Sequence, residues 1–174
     1  MGFADLLKKK GVEYSSDEAL EIAETLGNIL QKEATQATED LAQERGSFTL
    51  PGCNFEFSRR NLTTTCIAPT GGICLLTGNK GFAVEPYFSE STEIPAAHHI
   101  RVQAVWQRHI ENCISKTIGF KNNCTPKEIA NALKFAHQRG CKGITAFRDG
   151  SRDEKTPITY CPDCAHFPRK KREK

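Results

Sequence analysis

No apolar run in the 174-residue sequence approaches the roughly 18 residues that a membrane-spanning helix needs. Mean hydropathy is -0.50, so nothing in the chain asks for a bilayer. The opening residues, MGFADLLKKKGVEY, put their lysines after a short apolar patch, the reverse of a secretory signal. Leu6 stands where a myristoylation signal would carry Ser or Thr. These absences lead to an expectation of a cytoplasmic protein with no membrane partner. Also missing are a P-loop, a dinucleotide fingerprint, an HExxH helix, a Ser-His-Asp order and any internal repeat. No sign of charge dominates. The formal net charge is +3, and the last six residues, Arg169 to Lys174, carry five positive and one negative side chains. The rest is close to neutral, which argues against nucleic acid as a partner. The basic terminus reads as a solvated end, with phosphate contact or a nuclear address as the alternatives.

What is present is a globular composition of one-domain length, 38% hydrophobic and 26% charged. Apolar residues at Leu20, Ala23, Leu26, Ile29, Leu30, Ala34, Ala37 and Leu41 recur at helical spacing. They predict one long helix over 16–45, capped by Ser16 and terminated at Gly46 in a left-handed conformation. A shorter helix over 3–10 precedes it. Residues 47–61 read as loop, with a turn at Pro51-Gly52. Leu62 to Ala68 is β-branched and reads as a strand, broken by Pro69-Thr70-Gly71-Gly72 before a second apolar run, Ile73 to Leu76. A helix is expected over about 96–113 on an imperfect stripe. Then Lys116–Phe120, a helix opened by Thr125-Pro126-Lys127-Glu128, and Gly143–Phe147 spell strand, helix, strand. That βαβ order implies parallel strands, and hence the α/β class. Residues 1–150 form one body, and 151–174 a flexible polar tail.

Two places carry chemistry. Ala68-Pro69-Thr70-Gly71-Gly72 follows a strand, and its glycines let backbone N–H groups approach an anion, with the Thr70 hydroxyl as a further donor. The plainer reading is a turn. Cys161-Pro162-Asp163-Cys164 sits in the polar tail. Two thiols at that spacing close a disulfide, hold half a zinc site with His166 nearby, or have no role. With no export signal, the eight cysteines point to thiols rather than a disulfide framework. His98, His99 and His109 are expected to be solvated or near a helix cap rather than a metal cluster, and Glu85 alone says little.

Taken in order, GFADLLKKKGVEYSSDEALEIAE, LAQERGSF, RRNLTTTCIAPTGG, VEPYF, HHIRVQAVWQRHIENCISKTIGF and GCKGITAFRDGSR resemble the C-terminal part of class II, adenosylcobalamin-dependent ribonucleotide reductase. The resemblance covers about residues 1–152 and extends to a CxxC tail. It implies part of an α/β barrel with parallel βαβ units. It also implies a substrate-phosphate loop at Pro69, Thr70, Gly71, Gly72, Ile73 and Cys74, and a redox shuttle at Cys161 and Cys164 that re-reduces an active-site disulfide. The family's finger-loop motif with its thiyl-radical cysteine is absent, so an N-terminal reductase chain is the implied partner. Adenosylcobalamin in the assembled enzyme, a ribonucleotide substrate, a thioredoxin-like reductant and a role in supplying deoxyribonucleotides for DNA replication are implied with it. Three departures stand out. The family's PTGTIS reads PTGGIC, GNKGFAVEP replaces an SSGIEP-like stretch, and the segment before the AHxI helix shrinks to about Ser89–Ala97. A catalytically inactive nucleotide-binding or regulatory protein of reductase descent is the alternative. A zinc and basic-tail protein touching nucleic acid is a third.

Overall fold

The computed structural model describes residues 1–49, 52 and 58–151. The Cys161-Cys164 pair, Cys53, Pro51 and the basic terminus lie outside the described residues. Helix α1 spans Phe3–Lys10 and α2 Asp17–Arg45, followed by α3 Gly71–Thr77, α4 Ala96–Gln107, β1 Thr117–Phe120, α5 Pro126–Gln138 and β2 Thr145–Arg148. A 3-10 turn, Phe88–Glu90, precedes α4.

The local signals act where they were read. Ser16 Oγ accepts from the Ala19 N–H at 3.1 Å and starts α2. Thr125 and Glu128 form a reciprocal capping box ahead of α5, with Pro126 in the first turn. Gly46 ends α2 at φ 82° and ψ 152°, an extended glycine conformation rather than the expected left-handed helical one. The helix expected to reach residue 113 stops at Gln107. There the Gln107 side-chain amide donates to the carbonyls of Ile110 and Asn112 and turns the chain toward β1.

Helix α4 is the centre of the fold. It is buried from His98 to Ile100 and from Val102 to Gln107, so it needs no polar face, which explains its imperfect stripe. Val102, Val105 and Trp106 join Phe3, Leu7, Tyr14, Ala19 and Ala23 in one core cluster. The Phe3 and Trp106 rings meet edge to face at 5.6 Å. Ile100 turns to a second cluster with Ile118, Phe120, Ala132 and Ala136, between α5 and the sheet.

Strands β1 and β2 pair in parallel, Thr117 opposite Thr145 through Phe120 opposite Arg148, and α5 is the crossover. The strand expected over 62–68 contributes one parallel bridge, Ile67 to Ile114. Its Thr64 N–H goes to the Glu111 carboxylate at 2.6 Å instead of to a neighbouring strand. Odd-numbered Cys113 and Ser115 bond toward Ile67, whereas Lys116 and Phe120 offer their carbonyls toward β2. Residues 113–120 are therefore the middle of three parallel segments, ordered 62–68, 113–120, 145–148. Among the described residues the sheet does not close. This is a mixed α/β arrangement with parallel strands, a partial barrel.

Candidate functional site

The loop expected to meet phosphates begins at Thr70, which has a left-handed backbone (φ 58°), uncommon for a residue with a β-branch. The turn throws the chain into α3, so the apolar run Ile73 to Leu76 is helical. Cys74 is the one fully buried residue of that helix, while Leu76 is 89% exposed. Thr70 Oγ1 accepts from the Ala83 N–H at 2.8 Å and lies 3.5 Å from Cys74 Sγ, which reaches the Gly81 carbonyl at 3.4 Å. The hydroxyl expected as an anion donor thus holds the loop to residues 81–83. No side chain caps the first turn of α3, so the N–H groups of Gly71, Gly72 and Ile73 carry what anion-binding capacity the loop has.

Helix α1 clamps the return of this loop. The Asp5 carboxylate accepts from Lys80 N at 3.1 Å, Gly81 N at 2.8 Å and Tyr87 Oη at 3.0 Å. Burial raises the Asp5 pKa, but these three donors outweigh it and hold the group below its usual range. Gly81 has no room for a side chain, since a Cβ there would stand 2.9 Å from Ala4 Cβ.

Behind the loop lies a polar cluster that the sequence reading passed over. Lys116 is fully buried, and its Nζ donates to Glu85 Oε2 at 2.7 Å and to His99 Nδ1 at 3.0 Å. His99 Nε2 lies 2.9 Å from the Ser91 carbonyl, so that nitrogen carries the proton and Nδ1 is the acceptor. The other Glu85 oxygen accepts from Thr117 N at 2.5 Å, standing where a strand neighbour of β1 would bond. Lys116 Nζ also sits 5.5 Å from the Tyr14 ring centroid. Burial first, and the Lys116 charge second, push His99 down to about 3, and burial lowers Lys116 against the opposing pull of Glu85. Tyr14, whose hydroxyl donates to the Val84 carbonyl at 2.7 Å, is pushed well above its usual value by burial and then by Glu85.

His98 and His99 lie in the first turn of α4, near its cap as one reading had it, but none of the three histidines is solvated. His98, His99 and His109 are all buried, with ring nitrogens on the Tyr14 carbonyl, the Ser91 carbonyl and Gln31 respectively. Among the described residues no three His, Cys, Asp or Glu side chains gather closely enough to hold a metal ion, and no helix is long and apolar enough to cross a membrane.

Residues 81–147 match the family model of the ribonucleotide reductase barrel domain. The chain is 32% identical to a vitamin B12-dependent ribonucleoside-diphosphate reductase of Thermoplasma acidophilum over 213 residues, covering 87% of this chain and 28% of the relative. It is 29% identical to the protein of the same name from Mycobacterium tuberculosis over 222 residues, 93% of this chain and 32% of that one. Against a vitamin B12-dependent ribonucleotide reductase of Agrobacterium fabrum the figures are 28% over 152 residues, 86% and 10%. The chain thus spans about a third or less of these relatives' length. Two of the alignments exceed the 174 residues of the chain itself, so those relatives carry residues with no counterpart here.

Proposed function

We propose that this chain, which carries ribonucleotide reductase barrel sequence over residues 81–147, is the C-terminal barrel segment of a vitamin B12-dependent ribonucleotide reductase and works joined to the remainder of that enzyme. One observation carries the reading: a parallel three-segment sheet, open at both edges among the described residues, in a chain similar to a minor share of larger B12-dependent reductases. The substrate is then a ribonucleotide. The loop Pro69–Cys74 would meet its phosphates through the backbone N–H groups of Gly71, Gly72 and Ile73, with Thr70 and Cys74 setting the loop's shape from inside. Cys161 and Cys164 would return electrons. One thiolate attacks an active-site disulfide in the remainder of the enzyme and the second displaces it, leaving the tail as a disulfide for a thioredoxin-like reductant. The body over 1–150 and the tail over 151–174 are separate working parts in this scheme.

The relatives are named as vitamin B12-dependent, and adenosylcobalamin would supply the radical chemistry when bound in the assembled enzyme. The N-terminal reductase chain that carries the thiyl-radical cysteine would complete its site.

The test is to combine this chain with that reductase chain and assay cobalamin-dependent deoxynucleotide formation. The proposal expects product with dithiothreitol as reductant. It expects a loss of thioredoxin-supported turnover, rescued by dithiothreitol, on Cys161→Ser or Cys164→Ser. The loop's departures, Gly72 and the buried Cys74, favour a second reading as a nucleotide-binding protein of reductase descent without catalysis. Nucleotide binding with no product under dithiothreitol and adenosylcobalamin would establish that reading instead.

A further inference from the structure

Cys66 and Cys113 each stand one residue before a partner in the Ile67–Ile114 bridge. In a parallel pair this places them opposite one another on neighbouring segments, which run about 4.8 Å apart. The register is held on both sides. Ile67 N donates to the Cys113 carbonyl at 3.3 Å, and Ser115 N to the Ile67 carbonyl at 2.8 Å. Upstream, Glu111 accepts from Thr64 N at 2.6 Å and from Thr64 Oγ1 at 3.0 Å, while Arg59 pairs with its other oxygen at 2.6 Å. Side chains alternate along each segment. Thr65 and Ile114 are buried, and Cys66 and Cys113 both face outward as exposed free thiols. Both line one shallow surface cavity, together with Lys142, whose ammonium bonds the Glu111 carbonyl.

We propose that Cys66 and Cys113 are a redox-reversible pair that closes a disulfide across the two segments. The spacing of neighbouring strands falls inside the range of about 4.4–6.8 Å between Cα atoms that disulfides span. Both sulfurs are accessible, and Lys142 supplies positive charge beside them for an anionic small-molecule disulfide such as oxidised glutathione. The chemistry is two successive exchanges. One thiolate attacks a glutathione sulfur, breaking the glutathione disulfide and releasing one reduced glutathione as a mixed disulfide forms on the protein. The second thiolate then attacks the protein sulfur of that mixed disulfide and expels the other glutathione. The protein loses two electrons and two protons, and the oxidant becomes two thiols. The product ties segment 62–68 covalently to the strand running into β1, and a dithiol reductant reverses it. This pair is independent of the reductase reading and of the Cys161-Cys164 pair.

The test uses the full chain, reduced, exchanged into oxidised glutathione without denaturant, quenched with N-ethylmaleimide and mapped by tryptic mass spectrometry. The expected product is peptide 61–80 linked to peptide 109–116, lost on dithiothreitol treatment. Cys74 shares the first peptide but is buried, so fragment ions should assign the link to Cys66. In Cys66→Ser, Cys113 should retain glutathione, and in Cys113→Ser, Cys66 should. Glutathione or maleimide on both residues of the wild-type chain with no link between them would overturn the proposal. So would a link from Cys113 to Cys74 or to either tail cysteine.

Discussion

At the scale of single residues, Lys116 is the most demanding group in the fold. A fully buried ammonium survives because Glu85 and His99 both turn toward it, and removing its counter-charge costs more than removing the lysine itself. Glu85→Gln is therefore expected to lower stability by about 3–5 kcal/mol, and Lys116→Met by clearly less, as read from urea unfolding midpoints. His99 adds a pH dependence. Its pKa falls from an ordinary 6.5 to about 3 in the folded chain, so the unfolded chain takes up a proton over a range where the native state does not. Stability is complete above pH 6.5 and declines as pH falls toward 3, by up to about 1.4 kcal/mol per pH unit for this group. His98 shifts in the same direction. Glu111, drawn down from 4.5 to about 2 chiefly by Arg59, adds to the loss only below pH 4.5. Urea midpoints at pH 7, 6 and 5 should fall steadily in the wild-type chain and less steeply in His99→Gln; equal slopes would contradict this account. None of this cluster was legible in the sequence, because Glu85, His99 and Lys116 lie on three separate segments and carry no shared motif.

Among the elements, helices α1, α2, α4 and α5 were legible, and α3 and the first strand were not. Ser16 and the Thr125-Glu128 box state helix starts locally, within a few residues of chain, and the structure uses both. Leu62–Ala68 has the composition of a strand, yet a strand is defined by its neighbours, and here one neighbour meets it at a single bridge. The α3 turn was hidden by its apolar run, since four apolar residues suit a short helix as well as a strand. Gly27, inside the 29-residue α2, shows a further constraint that spacing alone does not disclose. A Cβ there would lie 2.6 Å from His109 Cδ2 and 2.9 Å from Cγ, so the glycine lets α2 and the end of α4 approach closely. Helix propensity favours Gly27→Ala by about 1 kcal/mol, whereas overpacking costs about 1–3 kcal/mol. A net loss of stability is expected at Gly27. The exposed neighbour Asn28→Ala should instead gain a few tenths of a kcal/mol, following propensity alone. Thermal or urea unfolding of the two variants side by side checks the contrast.

For the whole molecule, the parallel βαβ unit was readable because its caps, turns and strand compositions agree with one another. The site was readable only as a resemblance. The Thr70 hydroxyl of loop 69–74 faces inward, and a closed barrel would need strands beyond the three parallel segments that the described residues supply. Outward-facing amides mark where such strands would add: Cys66 and Ala68 on one edge, Ala146 and Arg148 on the other, by the alternation of bonding along each segment. Amide hydrogen exchange at these four positions, with and without the reductase chain carrying the radical cysteine, is the most direct measurement. The account predicts rapid exchange in the chain alone and slowing of at least tenfold at both edges on mixing. Slow exchange at these amides in the chain alone, or no change at either edge when the two are combined, would contradict it.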